Sequence, residues 1–159
     1  MSKKLVIGWF TFTCCEDSTI LFVELMNENY FKWKEQIEFK HCKMLKSKNE
    51  MGQFDVAFVE GAISTDEDKK ELEKIRGLSK YLVAIGSCAC SGYPSAQRND
   101  FDEKTKKEIL PVLKNYNLWE NVLSLDKIVK VDDNVPGCPM TTKKFMEVLD
   151  KYLKLFEVV

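Results

Sequence analysis

Four cysteines stand in three loops, each following an apolar run. Cys14 and Cys15 follow the run at 4–10. Cys88 follows the run at 81–85, inside Gly86-Ser-Cys-Ala89. Cys138 sits in Val135-Pro-Gly-Cys-Pro139, ahead of the last helical stretch. Four thiolates gathered at one place are the ligand set of an iron–sulfur cube or of a structural zinc. The chain carries six cysteines in 159 residues, more than a reduced core ordinarily uses. Adjacent Cys14 and Cys15 could pair only through a strained ring, and a reducing compartment disfavours disulfide frameworks. Metal ligation or redox work is therefore the reading of the clustered thiols.

The elements that must position them follow from hydrophobic period and turn residues. Residues 4–10 read as a buried strand, 19–32 as a helix with Ser18 as N-cap, and 37–45 as a half-exposed edge strand. A third strand spans 54–59 and ends at Glu60-Gly-Ala-Ile63. A charged, solvated helix follows at 65–76, with Gly77 as its stop. Strand four is 81–85. A helix at 103–116 carries Pro111 as a kink or break. A short strand at 127–131 leads into the Pro-Gly-Cys-Pro loop, and the last helix covers 141–155. Alternating strands and helices predict one α/β domain over 1–159, flavodoxin-like and doubly wound, with a mostly parallel sheet and helices on both faces. Ligands in such sheets bind outside the carboxyl ends of the strands. All three cysteine loops, and Glu60, leave carboxyl ends.

Composition narrows the partners. The formal net charge is -1, with 24 basic and 25 acidic residues, so no nucleic-acid groove or polybasic membrane patch is indicated. No apolar run approaches the ~20 residues of a spanning helix. The N-terminus moves from Met1-Ser2 into a strand pattern without a signal peptide or twin-arginine leader, which predicts a cytoplasmic protein.

Loop chemistry separates the possible ligands. Gly86, Gly92 and Gly137 permit tight loops whose backbone N–H groups can face a cluster, and Pro136 and Pro139 stiffen the last one. Zinc accepts four thiolates, but its sites ordinarily show a C-x₂₋₄-C pair, which adjacent cysteines do not supply. A flavin phosphate would want a hydroxyl-rich first loop. Thr11 to Ser18 has hydroxyls but also Glu16 and Asp17, which repel phosphate.

Thr13-Cys-Cys15, Glu60-Gly-Ala-Ile63, Gly86-Ser-Cys-Ala89 and Val135-Pro-Gly-Cys-Pro139 together resemble the small subunit of nickel–iron hydrogenases. They also resemble its relative, the 20 kDa subunit of respiratory complex I. The likeness runs over residues 4–155 in order and spacing. It implies a flavodoxin-like fold with one proximal 4Fe–4S cluster held by Cys14, Cys15, Cys88 and Cys138. It implies a hydrogenase-like large subunit as partner, with the nickel–iron centre in that other chain, so this chain would not be active alone. Electrons would pass to a separate ferredoxin-like or flavin-bearing subunit, and any membrane contact would come through other subunits on its cytoplasmic face. A single cluster is expected because the 21 residues after Cys138 hold no cysteine.

The two branches leave different marks. Hydrogenases typically carry C-x-x-C in the first loop; if Cys15 takes the second place, the first is Phe12. The tandem Cys14-Cys15 looks like the complex I relative, whose cluster hands electrons to a quinone. Glu60-Gly-Ala and Glu16-Asp-Ser look more like hydrogenase. A zinc-binding or cofactor-free scaffold stands as the reading from a different class.

Single residues divide between structure and chemistry. Glu60 is either a capped structural acid or an acid beside the cluster. Thr13 matches a hydroxyl of the family loop that can join a proton route. Glu16 and Asp17 read as helix N-terminal charge. Cys90 reads as a core thiol or neighbour of the cluster, and Cys42 as structural. His41 reads as a surface or strand residue. Trp9, Phe10 and Phe12 read as packing under the cluster loop or against the large subunit.

Overall fold

The computed structural model describes residues 3–159. The expected absence of a leader begins at Met1-Ser2, which lie outside the described residues.

Five strands form one sheet: β1 Leu5–Thr11, β2 Ile37–Cys42, β3 Phe54–Glu60, β4 Ser79–Ile85 and β5 Asp133–Val135. Their order is β2-β1-β3-β4-β5, and all four neighbouring pairs are parallel. This is the flavodoxin-like order, and every carboxyl end therefore lies on one side. The connecting helices are α1 Asp17–Gln36, α2 Asp66–Leu78, α3 Gly86–Ser91, α4 Glu103–Asn115 and α5 Thr142–Leu155.

Strand alternation divides the core in two. Leu5, Ile7, Trp9, Val56, Phe58, Val83 and Ile85 face α1 and α5, where Phe22, Trp33, Phe145 and Tyr152 fill the layer. Trp9 stacks on Phe22 with ring centroids 4.2 Å apart. Phe10, Ala57, Val59, Leu82 and Ala84 point the other way, against Leu72 and Ile75 of α2. β1, β3 and β4 are buried on both faces, which explains their near-continuous apolar sequences.

Several boundaries differ from the sequence expectation for identifiable reasons. α1 begins at Asp17, so Ser18 lies inside its first turn; the residue before it, Glu16, is left-handed at φ 62°. The helix runs on to Gln36 because buried Trp33 extends its apolar stripe. Gly77 does not stop α2, which continues through Leu78 before β4 starts at Ser79. Pro111 does not break α4. The exposed surface there lets water meet the carbonyl that the proline ring leaves without an N–H partner.

The expected strand at 127–131 is instead a 3-10 turn at Leu125–Lys127 and a packed loop. Ile128, Val129 and Val131 lie against the α2-side core without a ladder. Asp132 then exchanges bonds with Leu82, its N–H reaching the Leu82 carbonyl at 2.9 Å and its carboxylate accepting the Leu82 N–H at 2.9 Å. Pairing starts one residue later, at Asp133. The edge strand β2 ends at Cys42, and the turn after it folds over the free edge: Lys46 Nζ donates to the Phe39 carbonyl and Glu50 N–H to that of Lys40.

Candidate metal centre

Three loops and one strand end meet at the carboxyl side of the sheet. Cys14, Cys15, Cys88 and Cys138 line one small concavity with Glu60 and Ser18. Cys88 is buried, Cys14 half-buried, and Cys15 and Cys138 exposed at the rim. Cys15 and Cys138 reach the rim from two different loops. Among the described residues, no three His, Cys, Asp or Glu side chains stand close enough to hold a single metal ion.

Backbone bonds tie the loops to one another. Phe12 N–H reaches the Glu60 carbonyl at 2.8 Å, and Thr13 and Ala62 exchange both backbone bonds at 3.0 and 2.9 Å. Ser87 N–H donates to the Gly137 carbonyl at 2.7 Å, joining the Cys88 and Cys138 loops. Met140 N–H donates to the Ser18 hydroxyl at 3.1 Å, joining the last loop to α1. Two glycines make this closeness possible. Gly86 has φ +79°, and a Cβ there would sit 2.9 Å from the Ser18 hydroxyl. Gly137 has φ +123°, and its Cβ would meet the Pro139 carbonyl oxygen at 2.4 Å.

Glu60 is 3% exposed and fully engaged. Its carboxylate accepts the N–H groups of Ser18 and Thr19 at 3.1 and 3.0 Å and the Thr19 hydroxyl at 2.6 Å. It thus caps α1 from a neighbouring strand, which accounts for the absence of a side-chain cap at Glu16. It also faces the thiols. The Cys14 thiol is pushed up to about 12, first by burial, then by the Glu60 carboxylate and by Cys88. The Cys138 thiol is raised by desolvation, then by Cys15 and Cys88. Without a cation Cys14 and Cys138 resist ionisation, whereas a bound cationic core would reverse that preference.

The other sequence candidates fall at varied distances. Thr13 directs its hydroxyl to Ser64 at 2.6 Å, next to the concavity rather than into it. Asp17 lines the concavity. Trp9 lies under the first loop, its Nε1–H donating to the Thr19 hydroxyl at 2.8 Å. Cys90 points away, its thiol 3.6 Å from the Ala84 carbonyl. Cys42 is fully buried in the α1–α5 layer, as a structural thiol would be. His41 is a strand residue but not a surface one: it is 6% exposed and stacks on Phe10 at 4.5 Å. Two residues escaped the sequence reading. Thr19 looked like one more helical position, and Ser95 lies in a short turn without a periodic signal. Ser95 places its hydroxyl 3.2 Å from the Cys88 sulfur.

A family model described as NADH ubiquinone oxidoreductase, 20 Kd subunit, matches residues 14–152. The chain belongs to this family. Among relatives of this 20 kDa subunit family, the delta subunit of sulfhydrogenase 2 from Pyrococcus furiosus is 31% identical over 96% of this chain and 64% of its own length. The delta subunit of the NAD-reducing hydrogenase HoxS from Cupriavidus necator is 26% identical over 92% of this chain and 78% of its own. A subunit of the F420-non-reducing hydrogenase of Methanothermobacter marburgensis is 25% identical over 99% of this chain and 56% of its own. The chain thus spans little more than half the length of some of its curated relatives. Its fold is similar to a chain in the structure of an NAD+-reducing NiFe-hydrogenase in the H2-reduced state. That match has a TM-score of 0.81 and 25% identity, and covers 95% of this chain and 92% of that one.

Proposed function

We propose that this chain is the electron-transfer small subunit of a nickel–iron hydrogenase-type complex, built as a single flavodoxin-like domain. Cys14, Cys15, Cys88 and Cys138 would hold one 4Fe–4S cluster, which supplies one-electron transfer when bound. The observation that carries the reading is the convergence of these four thiols from three loops at one end of the sheet. Their chemistry fits the group: four soft sulfur donors, with Gly-shaped loops around them. Relatives named as hydrogenase subunits favour the hydrogenase branch.

The chain's own residues bind and hold. Glu60 anchors α1 beneath the first loop, and the Ser87–Gly137 bond fixes the spacing of the other two loops. The exposed rim at Cys15 and Cys138 is where a hydrogenase-like large subunit carrying the nickel–iron centre would dock. A ferredoxin-like or flavin-bearing subunit would take the electrons. No helix among the described residues is long and apolar enough to cross a membrane. We place the complex in the cytoplasm, with any membrane contact made through other subunits.

A second reading keeps one specific support. The tandem Cys14-Cys15 and the description of the matching family fit a complex I-type module passing electrons to a quinone. Anaerobic loading with iron and sulfide tests both electron-transfer readings: a brown chain with about four irons and four sulfides is expected. A colourless, zinc-loaded chain would sink them. Identifying the co-purifying large subunit, with or without nickel, separates the two.

A further inference from the structure

Ser95 opens the 3-10 turn Ser95–Asp100, which follows α3. Its hydroxyl lies 3.2 Å from the Cys88 sulfur and 3.1 Å from the Thr13 carbonyl oxygen. It therefore bridges the loop that carries Cys14 and Cys15 to the helix that carries Cys88. A hydroxyl has one hydrogen, and here two acceptors compete for it. While Cys88 is a thiol, its S–H can turn to the Ser95 oxygen and the Ser95 hydrogen to Thr13. Ligation removes the thiol proton and leaves negative charge on sulfur. A charge-assisted bond outcompetes a neutral one, so the Ser95 hydrogen then goes to sulfur. Cys88 is only 6% exposed, so water competes weakly for that sulfur and the low dielectric strengthens the bond.

We propose that Ser95 is a positioning residue that raises the cluster's reduction potential through its hydrogen bond to the Cys88 sulfur. The inference rests on the four-thiolate reading above. Reduction adds one electron, breaks no bond and moves no proton. The added charge spreads onto the sulfurs, so the Ser95 dipole stabilises the reduced form more than the oxidised form. Hydrogen bonds to ligand sulfurs are one of the levers by which a protein sets such potentials.

The test compares wild type, Ser95→Ala and Ser95→Thr after anaerobic loading with ferrous iron and sulfide. Each is titrated with a chemical reductant and followed by absorption and electron paramagnetic resonance. Ser95→Ala is expected to shift the oxidised-to-reduced ratio tenfold towards oxidised at a fixed potential, a midpoint about 59 mV more negative for one electron. Ser95→Thr keeps the hydroxyl and restores the wild-type midpoint. Resonance Raman should show a stiffer iron–thiolate stretch in Ser95→Ala alone. If Ser95→Ala does not fold, the isosteric pair Ser95→Thr and Ser95→Val carries the same comparison. Equal midpoints with and without the hydroxyl overturn the role of Ser95 and leave the cluster reading standing. A wild-type chain that takes up no iron overturns both.

Discussion

The Thr19 hydroxyl donates to the Glu60 carboxylate at 2.6 Å while accepting the Trp9 Nε1–H at 2.8 Å. One side chain thus links the core indole, the first turn of α1 and the acid that faces Cys14. All three partners are buried. Thr19→Val keeps the shape and removes the hydroxyl, which strands the indole donor and leaves the carboxylate one bond short. We expect a loss of about 2–3 kcal/mol, because hydrogen bonds to charged groups are the costly ones to break. Urea unfolding of the metal-free chain measures it, and an unchanged midpoint would exclude the linkage.

Two glycines should respond in opposite directions to alanine. Gly137→Ala forces a left-handed φ on a residue with a Cβ and drives that carbon to 2.4 Å from the Pro139 carbonyl. A cost above ~1 kcal/mol follows, with weaker iron retention because the Cys138 loop must shift. Gly77 lies inside α2, and a Cβ there would point into open space with nothing within 4 Å. Gly77→Ala should therefore stabilise by about 0.5–1 kcal/mol. Paired thermal melts check both signs.

The parallel sheet and the meeting of the cysteine loops were legible in the sequence because both depend on strong, local signals. Buried parallel strands read as apolar runs, and Gly-Ser-Cys and Pro-Gly-Cys mark loops directly. What escaped depends on contacts between segments far apart. Ser18 looked like the cap of α1, yet the cap is Glu60, 42 residues away. The run 127–131 has strand composition, but its apolar residues satisfy burial by packing on the α2 side, and the ladder starts only at Asp133. His41 lies on an edge strand, where exposure is the natural expectation; the stack on Phe10 buries it instead.

That burial gives His41 a pH signature. Its pKa is lowered, first by desolvation and then by Lys43, so the fold prefers the neutral ring. The unfolded chain takes up a proton near the ordinary value of about 6.5, while the folded chain resists until a lower pH. The unfolded state thus binds more protons in that window, and stability falls as pH drops below ~6.5. His41→Phe keeps an aromatic ring against Phe10 and removes the titration. The difference between wild type and His41→Phe in urea unfolding should therefore change from pH 7 to pH 5, with wild type losing the more stability. A difference that stays constant would show that His41 has the same proton affinity in both states.

The cysteines themselves separate ligand from bystander. Cys88→Ser and Cys138→Ser should each abolish stable loading, since they remove the contributions of two separate loops to the concavity. Cys90→Ser should load like wild type, because its thiol points to the Ala84 carbonyl, away from the concavity. The tandem pair is the sharper test. Cys14 is half-buried beside Glu60 and Cys88, whereas Cys15 is exposed at the rim with Cys138. If both ligate, Cys14→Ser and Cys15→Ser each lose iron and the visible absorption of the cluster. Iron and sulfide analysis after anaerobic loading decides it. A Cys14→Ser chain with full iron and an unaltered spectrum would leave Cys14 as a packing thiol, and the fourth ligand would have to be another group of this chain.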